Sequence, residues 1–152
     1  MTMKKIETIA TGAQFAAAAF GKMEELGDYL FEAGPEIRIP GKVFGGAALG
    51  TTGCEFSLQR FLPGTETGFL HTHKRHEELY FILSGSGEFQ VDGTVFPVTE
   101  GSVVRVSPAG RRSVRNNGAE PLTVLCVQYA AGSFGADDAA DGELLLGEPV
   151  AW

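Results

Sequence analysis

Hydrophobic and polar residues alternate along much of the chain from Cys54 onward. The first such run, 54–59, reads CEFSLQ, and this period of two is typical of a strand with one face buried. Runs rich in Val, Phe, Ile and Leu follow, separated by turn sequences at Pro63-Gly64, 74–76, 85–87, Asp92-Gly93, Glu100-Gly101, 108–110 and 116–118. Turns spaced by about 8–12 residues are typical of β sandwiches and barrels. The pattern predicts an all-β fold.

Asp92-Gly93 is the clearest turn signal in the chain. A two-residue hairpin of type I′ requires a positive φ at both central positions, and the Asp-Gly pair adopts such angles at little cost. We therefore expect a hairpin that joins a strand at Glu88–Val91 to a strand at Thr94–Val98.

The segment Glu77–Leu83 is apolar on both faces after its first residues. A strand that is buried on both sides needs a second covering layer, which is either the N-terminal segment or a second subunit. An apolar patch, Leu144–Leu146, also stands in an otherwise acidic tail and is expected to dock. Together the two features predict a homodimer.

The N-terminal region carries a helix signal. Thr11 and Gln14 have the spacing of a capping box, and the alanine-rich run Phe15–Phe20 precedes Gly21. We expect one short helix there. Residues 32–53 are rich in Gly and Pro, so this segment is expected to supply short or irregular strands that wrap the barrel.

Length and composition favour one folded unit. The chain has 152 residues, of which 43% are hydrophobic and 20% charged, as in ordinary globular proteins. We expect a single domain over residues 1–152. Its core barrel spans about 43–130, an N-terminal helix and wrapping segment occupy 1–42, and an acidic tail occupies 131–152.

Charge and cysteine content exclude several classes of function. The net charge of -7 would repel a phosphate backbone, so nucleic acid is not an expected partner. No apolar run has the length of a membrane span, and Glu7 interrupts the apolar positions of the N-terminus, so neither a membrane nor a signal peptide is expected. Cys54 and Cys126 lie in alternating apolar runs, where buried free thiols are expected. These features predict a cytoplasmic protein.

All three histidines of the chain lie between positions 71 and 76. Residues i and i+2 of a strand share a face, so His71 and His73 can direct two imidazoles at one point. A carboxylate from the next strand would complete a set of two histidines and one carboxylate, which leaves open positions on a divalent metal ion. His76 is expected to be a solvated turn residue outside this set.

The choice of carboxylate depends on the turn after His73. On an uninterrupted strand, Glu77 would share the face of His73 and Glu78 would not. A bend at Lys74–His76 resets this parity, and Glu78 then points inward on the same face as Tyr80.

The stretch from Pro63-Gly64 through His71-Thr72-His73 to Glu78 and Gly85 resembles the first motif of the cupin superfamily. In that motif an HxH sequence is followed after four residues by Glu and after six more by Gly, and Glu78 and Gly85 fit this spacing. The resemblance implies a double-stranded β-helix, that is, a jelly-roll barrel. It also implies a metal site at His71, His73 and Glu78.

A later stretch resembles the second cupin motif. It runs from Gly101 through Pro108–Gly110 to Asn117, with one extra residue before the proline. The motif usually supplies a third histidine three residues after its last glycine, where this chain has Ser113. If one residue is missing locally, Arg112 takes that place instead. Neither side chain is a normal ligand of a transition metal.

The remaining candidates are residues that would bind a small molecule in the barrel. They are Tyr80, Arg112, Ser113 and Gln128. Surface charge is the expected role of the arginines around the second motif, but a guanidinium that faces the pocket would clamp a carboxylate or phosphate. Imidazole and carboxylate ligands suit iron, manganese, nickel and zinc alike, so the identity of the metal stays open.

Three hypotheses of different kinds follow from these features. The first is a metal-dependent enzyme, for which the resemblance implies reactions from dioxygenation to isomerisation. The second is a non-catalytic barrel that binds a small, anionic ligand at a metal-free site, which the absent third histidine favours. The third is a dimeric scaffold that binds a partner.

Overall fold

Short strands are the main regular elements over residues 3–152, which the computed structural model describes. The strands are β1 (Glu7–Gly12), β2 (Phe15–Ala19), β3 (Leu30–Ala33), β4 (Ile37–Pro40), β5 (Lys42–Phe44), β6 (Glu55–Phe61), β7 (His76–Ser84), β8 (Ser86–Val91), β9 (Thr94–Thr99), β10 (Val103–Val106), β11 (Arg112–Arg115) and β12 (Leu122–Ala130). The described helices are the α-helix Gly46–Leu49 and the 3₁₀ helices Met23–Asp28 and Ala136–Ala140. Within residues 3–152, none has the length and apolarity needed to cross a membrane.

Two antiparallel sheets form the barrel. The first has five strands in the order β10-β7-β12-β6-β5, and the second has three in the order β11-β8-β9. Side chains from both sheets pack into one core. Its buried members are Phe61, Tyr80, Ile82, Phe89, Val98, Val106, Val114, Leu122 and Val124. The all-β jelly-roll fold predicted from the sequence is confirmed.

A second, smaller core lies on the outer face of the five-stranded sheet. There Leu26 and Tyr29, from the 3₁₀ helix and the residue that ends it, pack on Val43 of β5 and Leu58 of β6. The N-terminal segment therefore covers β5 and β6, but no residue of this core belongs to β7, the strand for which a covering layer was predicted. On the outer face of β7, Leu79 and Phe81 are half-buried and Leu83 is 39% exposed.

Strand β6 has apolar residues on its outer face and polar residues on the face that points into the barrel. Leu58 is buried in the outer core, and Phe56 packs against Phe20 with their ring centroids 5.8 Å apart. The polar residues Ser57 and Gln59 face the barrel interior, where they line a cavity. The period of two thus identified the strand, but its polar face is the inner one.

The helix predicted at Thr11–Phe20 is wrong. Phe15–Ala19 forms β2, which pairs with β1 in an antiparallel hairpin. An isolated alanine-rich run of this length is a marginal helix in water, and pairing with a neighbouring strand satisfies the same backbone groups. The apolar patch Leu144–Leu146 is also exposed, at 65–88%, so it does not dock on the barrel of its own chain.

The predicted hairpin at Asp92-Gly93 is confirmed. It joins β8 to β9, and Val91 pairs with Thr94 across the turn. Asp92 has φ 49° and Gly93 has φ 82°, the two positive angles that a type I′ turn requires.

Gly85 and Gly93 provide a matched test of turn geometry against packing. Both have a positive φ, but a Cβ on Gly85 would lie 2.2 Å from the carbonyl oxygen of Pro121, whereas a Cβ on Gly93 meets nothing within 4 Å. We expect Gly93→Ala to lower the free energy of unfolding by about 1–3 kcal/mol, the cost of a left-handed alanine. Gly85→Ala should lower it by clearly more, as measured by urea denaturation. Equal losses of free energy in the two variants would contradict an added cost from the contact with Pro121.

Candidate metal centre

The two histidines and the glutamate come from opposite sheets. The backbone of His71 exchanges hydrogen bonds of 3.2 Å with Arg112 at the start of β11, and the amide of His73 donates to the carbonyl of Pro108 at 2.8 Å. The segment that carries both histidines therefore lies along the edge of the three-stranded sheet. Glu78 lies near the start of β7 in the five-stranded sheet. The site is formed where the two sheets converge.

The three side chains point at one another. Nε2 of His71 and Nε2 of His73 each lie 3.3 Å from Oε1 of Glu78. One potential ligand atom from each residue lies within 4.8 Å of the other two. The bend between His73 and β7 has reset the strand parity, so that Glu78 and not Glu77 points inward.

The polar atoms of this cluster fit a bound cation. Nδ1 of His71 and Nε2 of His73 are buried and have no hydrogen-bond partner, since the approach of His73 to Glu78 lacks hydrogen-bonding geometry. Burial lowers the pKa of His73 despite the opposing effect of Glu78, so the neutral imidazole predominates near neutral pH. A neutral imidazole with an unpaired nitrogen is the form that binds a metal.

Glu78 is held as a carboxylate. Burial by itself raises its pKa, but hydrogen bonds to His71, Tyr80 and Cys126 outweigh burial and lower the pKa to about 2. The hydroxyl of Tyr80 donates to Oε1 at 2.6 Å, and the thiol of Cys126 donates to Oε2 at 3.1 Å. These two donors also fix the orientation of the carboxylate.

The side chain of Arg112 points into the cluster of His71, His73 and Glu78. Along β11, Arg112 and Val114 are buried while Ser113 between them is half-buried, so the guanidinium points inward. The arginine is 1% exposed, and its Nε lies 3.5 Å from Oε1 of Glu78. It donates to the carbonyls of His71 at 3.4 Å and Ser107 at 3.1 Å. A positive charge thus lies beside the carboxylate on which the two imidazoles converge.

The surface-charge interpretation of the arginines is therefore wrong for Arg112. It holds for Arg105 and Arg115, whose side chains are more than half exposed and pair with Glu77 and Glu88. The alternation of β11 is the signal that separates the buried arginine from its neighbours.

The cluster opens into a cavity of about 180 Å³ between the sheets. Among the residues that line it are all four predicted ligand-binding residues, namely Tyr80, Arg112, Ser113 and Gln128. Sequence reasoning missed the lining residues Lys42, Ser57 and Gln59, and it placed Cys126 in the core without its contact to Glu78. The polar positions that alternate along β5 and β6 were the available signal.

His76 is not the solvated turn residue that was expected. It is half-buried at the start of β7, and its Nδ1 lies 2.8 Å from Oε1 of Gln128. This pairing orients the amide of Gln128 at the edge of the cavity. His76 lies outside the cluster of candidate metal ligands.

Several known proteins are similar to this chain in sequence or in fold. The Cupin domain family matches residues 57–128. An uncharacterized protein of Methanocaldococcus jannaschii is 36% identical over 71 residues, which cover 47% of this chain and 57% of that protein. An oxalate-binding protein of Thermotoga maritima is 33% identical over 72 residues, which cover 47% of this chain and 59% of that protein. The chain thus spans less than two thirds of these curated relatives.

A solved structure extends the similarity over most of the barrel. The crystal structure of a cupin protein from Bacteroides fragilis is 31% identical and superposes with a TM-score of 0.65. The match covers 75% of this chain and 93% of that one. Fold, paired motifs and sequence similarity agree, and the chain belongs to the cupin superfamily.

Proposed function

We propose that this chain binds a divalent metal ion through His71, His73 and Glu78 and holds a small carboxylate ligand beside the ion. The observation that carries the proposal is the convergence of two imidazoles on a buried, charged carboxylate. Three protein ligands would leave open positions on the ion, where oxygen ligands can bind.

Two observations support a small carboxylate as the ligand. The relative from Thermotoga maritima is an oxalate-binding protein, and its similarity to this chain is 33% over 72 residues. The cavity of about 180 Å³ is also of suitable size. A protein cavity of about 150 Å³ holds benzene, which has as many non-hydrogen atoms as oxalate.

The residues around the centre support binding and water exclusion. A bound ion would polarise the oxygen atoms of the ligand as a Lewis acid. Tyr80 and Cys126 hold the carboxylate of Glu78 in one orientation, and Phe89 and Val124 supply apolar walls to the cavity. Such walls strengthen the electrostatic contacts that a charged ligand makes.

Arg112 favours a second candidate, a barrel that binds an anion without a metal. Its guanidinium lies beside Glu78, where it would repel a divalent cation. Two unit charges about 4 Å apart interact by roughly 4 kcal/mol at an effective dielectric constant of about 20. In this candidate the guanidinium itself pairs with the carboxylate of the ligand.

Metal content separates the two candidates. We expect the wild-type protein, dialysed against a mixture of manganese, iron(II), nickel and zinc ions, to retain about one ion per chain by elemental analysis. The His71→Ala/His73→Ala variant should retain none, because it removes both imidazoles. His76→Ala is the matched control and should retain the wild-type content. Negligible metal in all three proteins would contradict the metal-binding proposal.

Substitution of the buried arginine tests its effect on metal affinity. We expect Arg112→His to bind the same ion at least about tenfold more tightly than the wild type, because the change removes a repelling charge and adds a ligand. Ser113→His is the matched control, since Ser113 occupies the alternate position on β11. Competition with a fluorescent chelator measures both affinities, and circular dichroism verifies the fold. Tighter binding by Ser113→His alone would show that residue 113, and not residue 112, faces the metal centre.

A further inference from the structure

Lys42 lies in the wall of the cavity at the edge of the five-stranded sheet. It belongs to β5, opposite Gln59 of β6, and both side chains line the same space as Glu78. Its Nζ lies 5.1 Å from the centroid of the Phe44 ring. Across residues 3–152, no carboxylate oxygen lies within 4.0 Å of this ammonium group.

The backbone fixes this lysine in place. Gly41, the preceding residue, has φ 75°, and a Cβ there would lie 2.7 Å from the carbonyl oxygen of Arg60. The amide of Gly41 donates to Tyr29 at 2.8 Å, and its carbonyl accepts from Arg60 at 2.9 Å. The close approach of the backbones of Gly41 and Arg60 holds Lys42 on the inner face of β5.

The other charged groups of the cavity are already engaged or exposed. Arg112 faces Glu78 at 3.5 Å, and Arg38 pairs with Glu32 at 3.0 Å. Glu66 also lines the cavity but is exposed to solvent. Lys42 is therefore the cation of the cavity wall that lacks a counter-ion.

Burial makes this arrangement costly without a ligand. It lowers the pKa of Lys42, while the negative charge of Glu78 opposes the shift. A buried ammonium gains most from an anion that accepts its hydrogen bonds directly. Ser57 and Gln59 add a hydroxyl and an amide to the same wall.

We propose that Lys42 selects dicarboxylates, because it pairs with the second carboxylate of a ligand whose first carboxylate lies at the centre of His71, His73 and Glu78. The inference rests on the proposed function for the position of the first carboxylate. The second position depends only on Lys42 and the cavity wall. A monocarboxylate fills the first position and leaves the lysine without its partner.

Calorimetric titration tests the pairing with ligands of known charge. The full chain is titrated, loaded with manganese and metal-free, with oxalate, malonate and succinate and with the monocarboxylates formate, acetate and propionate. The variants are Lys42→Met, which keeps an apolar stem, and Lys42→Arg, which keeps the charge. Lys22→Met, at an exposed lysine, is the matched control for net charge.

We expect Lys42→Met to weaken the tightest dicarboxylate by about tenfold or more, the effect of a lost charged hydrogen bond. Binding of monocarboxylates should change by less than about twofold, and Lys42→Arg and Lys22→Met should retain most of the dicarboxylate affinity. Metal content should equal that of the wild type in every variant, because Lys42 is not among the candidate ligands.

The outcomes distinguish the two proposals. Equal weakening of mono- and dicarboxylates by Lys42→Met, or no weakening, overturns the role of Lys42. Absence of dicarboxylate binding by both forms of the wild type overturns it as well. A wild-type protein that takes up no metal overturns the metal site alone, since a loss of dicarboxylate affinity in the metal-free Lys42→Met variant still supports the pairing.

Discussion

The architecture of the site depends on a single buried carboxylate. Glu78 is 5% exposed in its side chain and stays ionised because His71, Tyr80 and Cys126 form hydrogen bonds to it. It belongs to one sheet, and the histidines and Arg112 that face it belong to the other side of the barrel. The charge therefore links the two sheets at the mouth of the cavity. Without donors from both sides, the barrel would bury an unpaired charge at a cost of several kcal/mol.

Arg112 changes the electrostatics of the centre formed by His71, His73 and Glu78. In a centre of three imidazoles and one carboxylate, a cation balances the charge of the glutamate. Here a guanidinium that is 1% exposed already supplies part of that balance. It also donates to the carbonyls of His71 and Ser107, so it fixes the segment that carries the histidines. The same side chain thus stabilises the geometry of the centre and lowers its attraction for a cation.

The interior of the barrel has an apolar and a polar part. Ile82, Val98 and Leu122 belong to the fully packed core, which fixes the distance between the sheets. Towards β5 and β6 the inward positions become Lys42, Ser57 and Gln59, and the space between the sheets opens into the cavity. This division is possible because the N-terminal segment covers the outer apolar face of β6 and allows its polar face to turn inward. A covering layer outside the barrel therefore influences the chemistry inside it.

The sequence by itself determined the strands, the Asp92-Gly93 hairpin, the jelly-roll fold and the group of His71, His73 and Glu78. These features depend on local periodicity, on turn residues that tolerate positive φ and on fixed spacing within one motif. Only the tertiary structure decided that Phe15–Ala19 is a strand, that Arg112 and not Ser113 points at Glu78, and that Lys42 faces the cavity. Each of these depends on which distant backbone or charge lies opposite, and a periodic pattern carries no information about that neighbour. Pairing with β1 outweighed the helix propensity of an alanine run that is too short to form a stable helix by itself, and the parity of two sheets selected the side chains that meet inside the barrel.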